Sequence, residues 1–192
     1  MPTQPLSSLA EIRTGYTVRG KTDPGPVCVV QIADLDGGGV LDPADVDTTA
    51  DIDPAREHRL RAGDVLLASR GATYPAVIVP HDRPDAVASS YLYLLRVPTG
   101  GPLDPAFLAW YLNTPPAQDH FAAHAHGSYT VQRIRRDDAG ALPVPLPPPG
   151  VQAALARAAR LAATEAALAH DLADRRLDLT TSFLLQTALH HG

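Results

Sequence analysis

The pattern of apolar and polar positions divides the chain near Gly150. Before this residue, short apolar runs alternate with turn residues, and four of these runs predict β-strands. The four runs are PVCVVQIADL, GDVLLASRG, TYPAVIVP and AVASSYLYLLRV. In the last run, Tyr91, Tyr93 and Leu95 fall on one face of the predicted strand, and the residues between them fall on the other. The first part of the chain is therefore predicted to be β-rich.

Two short helices are predicted after these strands, in DPAFLAWYLN and PPAQDHFAAHAH, because each begins with an acid or a proline in its first turn. Strands followed by helices predict an α+β fold. From Val151 to His191 the chain has neither proline nor glycine. This segment predicts one helix or two collinear ones, about 60 Å long if unbroken. We expect a globular domain over residues 1–149 and a helical region over residues 150–192.

Four leucines of the predicted helix follow spacings of 7, 4 and 7 residues, which is typical of the core positions of a coiled coil. They are Leu161, Leu168, Leu172 and Leu179, here called the leucine stripe. Glu165 and Arg175 interrupt the stripe. Two interpretations are open, because an amphipathic stripe can pack on its own domain or against a partner. The helix is longer than a domain of 150 residues needs, so we expect part of it to project or to lie along a partner.

Composition and charge narrow the class of protein. The chain has 192 residues, 45% hydrophobic and 19% charged, which is typical of a globular protein. Its net charge of −5 does not favour a nucleic-acid-binding protein. The charge is uneven, however, since residues 34–64 hold nine of the 21 acidic residues and three of the 16 basic ones. The rest of the chain has 12 acidic and 13 basic residues and is slightly basic.

The single cysteine, Cys28, cannot form an internal disulfide and favours a reducing compartment. The chain does not begin with a signal-peptide pattern, and no apolar run approaches the roughly 20 residues of a membrane span. We therefore expect a cytoplasmic protein without a membrane partner.

Two stretches partly fit metal-binding motifs. DLDGGGVLDPAD places five residues at calcium-loop positions, but position 5 is Gly38 and position 12 is an aspartate, so a turn that ends a strand is the preferred interpretation. DHFAAHAHG holds three histidines without a third ligand type at a known spacing. No Walker A, S-adenosylmethionine or G-x-S-x-G motif is present. We expect neither metal nor cofactor, and no catalytic site.

Four loops combine small polar residues, aromatics and arginines: GYTVRGK (15–21), SRGATY (69–74), SSYLY (89–93) and HGSYTVQRIRR (126–136). Such residues can donate to phosphates and make bidentate contacts to guanine edges. The candidate DNA-contacting residues are Arg19, Lys21, Arg70, Thr73, Tyr74, Ser128, Tyr129, Arg133, Arg135 and Arg136. Ion pairing is the alternative, between Arg70 and Asp64 or between the last three arginines and Asp137 and Asp138.

Taken in order, several segments resemble the specificity (S) subunit of Type I restriction-modification systems. They are LAEIRTGYT, VVQIADLDGGGV, LRAGDVLLASRG, ASSYLYLLRV, PAFLAWYLNT, GSYTVQRIRRDDAGALPVPLPPPGVQ and LLQTALHHG. In that family an iPlPP…EQ segment joins the target recognition domain to a spacer helix. Pro145, Pro147, Pro148 and Gln152 match this segment, and Val151 replaces the usual glutamate.

The resemblance implies a non-catalytic subunit that recognises double-stranded DNA and directs a separate modification methyltransferase, with or without a restriction nuclease, to a bipartite target. Full S subunits contain two such units, and this chain contains one. The resemblance therefore implies a half-subunit that forms a homodimer through the leucine stripe. Two alternatives remain open: a helix-mediated interaction or regulatory protein of a methylation complex without DNA reading, and a metal-dependent hydrolase that uses the histidines.

Overall fold

The computed structural model describes residues 2–18, 24–35, 39–41, 46–128 and 131–190. Strands and helices are both present there, which confirms the predicted α+β class. The strands are β1 (Thr3–Pro5), β2 (Glu11–Thr14), β3 (Val27–Val30), β4 (Thr49–Ala50), β5 (Arg59–Leu60), β6 (Val65–Ala68), β7 (Ala76–Ile78), β8 (Arg83–Ala88), β9 (Leu92–Arg96), β10 (His126–Ser128), β11 (Val131–Arg133) and β12 (Pro143–Pro145). The helices are α1 (Leu6–Leu9), α2 (Pro105–Leu112), α3 (Pro115–Ala123), α4 (Arg136–Gly140) and α5 (Pro149–His190).

Two four-stranded sheets form the centre of the globular part. One is antiparallel with the order β2-β9-β6-β7, and the other has the order β4-β3-β8-β5 with β3 and β8 parallel. Strand β9 is buried on both faces. Its residues Leu92 and Leu94 join the cluster shared with the second sheet, whereas Tyr93 and Leu95 join the cluster formed with helices α2 and α3. The alternation of side chains along a strand explains this division.

The segment AVASSYLYLLRV is two strands, and the prediction of one continuous strand was wrong. Strand β8 ends at Ala88 and β9 begins at Leu92. The backbone N–H of Leu92 donates to the carbonyl of Ser89 at 2.9 Å, which closes the turn between them. Tyr91 therefore lies in this turn, where its side chain is exposed, instead of sharing a face with Tyr93.

The proline run begins with an edge strand and ends at the first residue of the long helix. Strand β12 pairs with β1 near the start of the chain, and among the described residues no third strand joins this sheet. The prolines are tolerated there because an edge strand does not need every backbone N–H as a donor. Helix α5 begins at Pro149, where a missing N–H costs nothing in the first turn. The structure has one continuous helix of 42 residues, where the sequence left one or two open.

A buried glutamine sets the direction in which α5 leaves the globular part. Gln152 is 1% exposed. Its Oε1 accepts from the backbone N–H of Asp104, and its Nε2 donates to the carbonyls of Pro102 and Pro147, each at 2.8 Å. The amide thus connects the proline segment, the loop before α2 and the first turn of α5.

Beyond its first four turns, α5 leaves the globular part. Ala156, Ala159 and Ala163 are half-buried, and the described side chains from position 164 onward are exposed. The leucines of the stripe are between 50% and 72% exposed. The alternative in which the stripe packs on its own domain is therefore not what the structure has.

Candidate nucleic-acid interface

A cleft of about 280 Å³ lies where the ends of β2, β6 and β9 meet the end of β11 and the residues that follow it. We call it the arginine cleft. Its lining residues are Thr14, Ser69, Arg70, Ser90, Tyr93, Arg133, Arg135 and Arg136. Four of the predicted DNA-contacting residues, all arginines, therefore share one concave surface.

Backbone pairing brings the two arginine-bearing segments together. The N–H of Gly71 donates to the carbonyl of Gln132 at 3.0 Å, and the N–H of Ile134 donates to the carbonyl of Ser69 at 3.0 Å. These bonds form an antiparallel bridge between Arg70 and Arg133. Gly71 has a φ of 129°, a conformation that side chains rarely allow, so glycine permits the turn directly after Arg70.

Arg70 lies against an aromatic ring at the rim of the cleft. Its Cζ is 3.5 Å from the centroid of the Tyr91 ring, close enough for a cation–π contact. The Nε of Arg70 is buried without a hydrogen-bond partner among the described residues. The neighbouring turn is held separately, because Ser69 donates its hydroxyl to the carbonyl of Tyr91 at 2.8 Å. The guanidinium is thus positioned by stacking and not by a carboxylate.

Ile134 anchors the other three arginines. This side chain is fully buried, and its carbonyl accepts from the hydroxyl of Tyr93 at 2.9 Å. Arg133 and Arg135, on either side of it, are exposed and have no ion pair among the described residues. Alternation about a buried residue explains why both guanidinium groups point away from the core.

Carboxylates do little to neutralise this group. Arg136 lies 3.6 Å from Asp137, but both side chains are largely exposed, and such pairs contribute little. Asp138 accepts instead from His126, with 3.1 Å between Nε2 and Oδ2. Of the ion pairs expected with Asp137 and Asp138, the structure therefore has only that of Arg136 with Asp137, and Arg133 and Arg135 have none among the described residues.

Tyr93 shows the influence of the arginines on the cleft. Burial raises the pKa of its hydroxyl, and the positive charges of Arg133 and Arg136 oppose this by lowering the pKa. The hydroxyl is neutral at physiological pH and donates to Ile134, so it contributes structure and no charge.

Arg70 does not pair with Asp64, which was the alternative from sequence. Asp64 is 2% exposed, and its two carboxylate oxygens each lie 2.7 Å from Arg96, one from Nε and one from a terminal nitrogen. The hydrogen bond to Asp64 raises the pKa of the Arg96 guanidinium. The bidentate pair supports the turn before β6 and leaves Arg70 for the cleft.

Tyr74 does not belong to this surface, although it lies only four residues after Arg70. It is 1% exposed, and its ring meets that of Phe121 edge-on at 5.8 Å between centroids. Gln118 holds its backbone, accepting from the N–H at 3.1 Å and donating to the carbonyl at 2.9 Å. The prediction that Tyr74 helps to read bases is corrected: it is a core residue. Thr73 is exposed but does not line the cleft.

Other predicted contacts cannot be placed. Arg19, Lys21 and Tyr129 lie outside the described residues. Ser128 ends β10, where its backbone pairs with Val131. In the stretch that partly fits a calcium loop, Asp36, Asp42 and Asp45 also lie outside the described residues.

The histidines of DHFAAHAHG take part in local contacts. The Nε2 of His120 lies 3.0 Å from the carbonyl of Asp138, and the Nδ1 of His124 lies 2.7 Å from the carbonyl of His120. Among the described residues, no group of three or more His, Cys, Asp or Glu side chains is arranged to hold a metal ion.

Five residues at the cleft were not predicted as site residues: Thr14, Ser69, Ser90, Tyr91 and Tyr93. The sequence carried a signal for four of them, because the loops SRGATY (69–74) and SSYLY (89–93) combine small polar and aromatic residues. Neither loop indicated that these residues lie beside the end of β11 and the residues that follow it.

Three solved structures with a similar architecture come from Type I restriction-modification systems. The S subunit from M. genitalium has 19% identity to this chain and a TM-score of 0.56. The match covers 81% of this chain and 37% of the M. genitalium subunit. The HsdS subunit from Thermoanaerobacter tengcongensis has 19% identity to this chain and a TM-score of 0.54. The match covers 85% of this chain and 39% of the HsdS subunit. A structure from a study of assembly and conformational transition of the type I R-M system has 20% identity to this chain and a TM-score of 0.63. The match covers 93% of this chain and 42% of the other.

This chain shares the fold of Type I S subunits. The fold implied by the sequence resemblance is confirmed. The chain spans about two fifths of the length of these proteins. No protein-family model and no curated protein matches the sequence. Among the described residues, none of the helices has the length and apolar character that crossing a membrane requires.

Proposed function

We propose that this chain is a non-catalytic DNA-recognition module of a Type I restriction-modification system, acting in the cytoplasm, and that the arginine cleft contacts double-stranded DNA. The observation that carries the proposal is the convergence of Arg70, Arg133, Arg135 and Arg136 on one cleft. Guanidinium groups suit this task because they bind phosphates and the O6 and N7 atoms of guanine in a bidentate manner. The fold shared with S subunits supports the same function.

The four arginines divide into two proposed roles. Arg70 is held against Tyr91, so its orientation is defined, which suits reading of a base edge. Arg133, Arg135 and Arg136 are exposed and do not stack on an aromatic ring of the described residues, which suits phosphate contacts that fix the position of the protein on the duplex.

DNA binding of the purified chain tests this proposal directly. We expect binding to random duplex DNA that weakens as salt rises from about 50 to 200 mM, because phosphate contacts release counterions. Repeated selection from a randomised pool should then enrich one sequence. A chain that binds no DNA at the lower salt concentration would contradict the proposal.

We also propose that α5 joins two copies of the chain into a homodimer and contacts the modification methyltransferase, and the nuclease where one is present. The leucine stripe lies about 180° around the helix from Ala159 and Ala163, which face the globular part, so a second helix can reach the stripe. Leu177, Leu184 and Leu185 are exposed on other faces of α5 and remain available for a different partner. Antiparallel pairing would place the two recognition domains at opposite ends of the helices, facing the two halves of a bipartite target.

A second candidate function is supported by the net charge of −5 and the exposed apolar side chains of α5. In that case the chain binds a methylation complex through α5 and does not read DNA. Co-purification with a Type I methyltransferase, combined with DNA binding that shows no sequence preference after selection, would favour this second function.

A further inference from the structure

The residues along the leucine stripe form a pattern that reads symmetrically about position 170. Leu168 and Leu172 lie two residues on either side of His170, and Leu161 and Leu179 lie nine residues on either side. The two interruptions, Glu165 and Arg175, lie five residues on either side and carry opposite charges. The apolar positions are therefore symmetric, and the charged ones are complementary.

We infer that two copies of α5 pair antiparallel in a single register, with the two-fold axis at the level of His170 and with Glu165 of each copy facing Arg175 of the other. This inference deepens the proposed self-association and is independent of the proposed DNA contacts. It names the residues that fix the direction and register of the pair.

The geometry of helix pairs supports this register. With the stripe at core positions, Leu161, Leu168 and Arg175 occupy d positions, and Glu165, Leu172 and Leu179 occupy a positions. In an antiparallel pair each a position faces a d position of the other helix. Pairing about position 170 produces this match in all six layers, four of them leucine against leucine and two of them Glu165 against Arg175.

The charges disfavour the main competing arrangement. A parallel, in-register pair would place Glu165 against Glu165 and Arg175 against Arg175, and like charges at a helix interface are repulsive. A single charged core position can specify register and orientation even where it lowers stability. Here the complementary pair would have the same effect twice, once on each side of the axis.

In the structure both side chains are on the exposed surface of α5. Glu165 has no ion pair among the described residues. The Nε of Arg175 lies 3.0 Å from Asp171 one turn earlier on the same helix. A guanidinium has five N–H donors, so Arg175 can hold Asp171 and still bind the Glu165 carboxylate of a second copy.

A charge-exchange experiment in the full chain tests the inference. In the antiparallel register, Glu165→Arg alone and Arg175→Glu alone each place like charges together at both sites, and each should weaken the homodimer by about tenfold or more in Kd. Mixing the two variants restores opposite charges at both sites and should restore association. The double variant E165R/R175E should also associate like the unsubstituted chain.

Asp174→Arg is the matched control for Glu165→Arg. It makes the same change in net charge, but on a face of α5 away from the stripe. Its dimer Kd should be nearly unchanged. Circular dichroism of each variant checks that α5 is still helical. Single variants that dimerise as tightly as the unsubstituted chain would overturn the register, because a parallel pair would not gain repulsion from Glu165→Arg.

Disulfide cross-linking measures the register independently. In a Cys28→Ala background, Leu161→Cys and Leu179→Cys should form a disulfide when the two variants are mixed and not when either is alone, because two copies of position 161 lie about 27 Å apart in the antiparallel register. Cross-linking of either variant with itself would overturn the inference. A chain that light scattering finds monomeric would overturn both the inference and the self-association, while leaving the DNA-binding test of the arginine cleft unaffected.

Discussion

The guanidinium of Arg70 stacks on the ring of Tyr91, with its Cζ 3.5 Å from the ring centroid. Tyr91 lies in the turn between β8 and β9, and Arg70 lies two residues after the end of β6, so the contact joins this turn to the segment after β6 at the rim of the arginine cleft. A charged side chain held in this way loses little further freedom on binding, which suits recognition of a defined partner.

We predict that Arg70→Ala relaxes the preference at one base pair of the selected sequence. The loss should be about 1–3 kcal/mol at that position, because a bidentate contact to a base is removed. Arg70→Lys should not restore it, since an ammonium cannot make the same paired contact. Binding to a panel of single-base variants of the selected site measures the effect.

The control for Arg70 is Arg56→Ala, which removes another exposed arginine that does not line the cleft. This variant should keep both affinity and preference. Unchanged sequence preference in Arg70→Ala, together with reduced thermal stability, would instead indicate that the stacking on Tyr91 is structural.

The double variant R135A/R136A should weaken binding to all DNA sequences to a similar extent. The slope of log K against log salt should fall by about 2, since two phosphate contacts are lost. Salt titrations of the double variant and of Arg56→Ala, with the same random duplex, give the comparison. The phosphate role is wrong if affinity and slope in the double variant equal those of the unsubstituted chain.

Gln152→Ala should destabilise the chain by roughly 2–4 kcal/mol, because the N–H of Asp104 and the carbonyls of Pro102 and Pro147 lose their partner in a buried place. Denaturant unfolding of the globular part, followed by tryptophan fluorescence, measures this change. Gln4→Ala is a suitable control, since Gln4 is exposed. Equal stability of the two variants would mean that the amide does not hold the junction.

Leu168→Asp combined with Leu172→Asp should convert the proposed dimer to a monomer. Both positions lie next to the inferred two-fold axis, where four carboxylates would replace the central leucines of the pair. Light scattering at tens of micromolar compares this variant with the unsubstituted chain. Leu177→Asp with Leu184→Asp, on other faces of α5, should leave the dimer intact. A dimer that survives the first pair of substitutions would show that the stripe is not the interface.

The local sequence determined the elements whose causes are local. Helix α2 begins at Pro105. The carboxylate of Asp104, just before it, accepts hydrogen bonds from the N–H groups of Ala106 and Phe107, and this is the acid-proline start that the sequence indicated. Helix α5 runs over the segment without proline or glycine because nothing within it interrupts the backbone hydrogen bonds. The order of charges along the leucine stripe is also a property of the sequence alone.

Only the tertiary structure decided which distant residues meet and which near ones separate. Arg70 and Tyr74 belong to one six-residue loop, yet one lines the arginine cleft and the other is in the core. The reason is that Gln118 of α3 holds the backbone of Tyr74, a contact between residues 44 positions apart. Arg133 lies beside Arg70 because of backbone hydrogen bonds that do not involve the side chain of either arginine, so the residue pattern did not predict this contact. The direction of the leucine stripe was decided in the same way, because the buried amide of Gln152 and three alanines orient α5 so that the stripe faces away from the globular part.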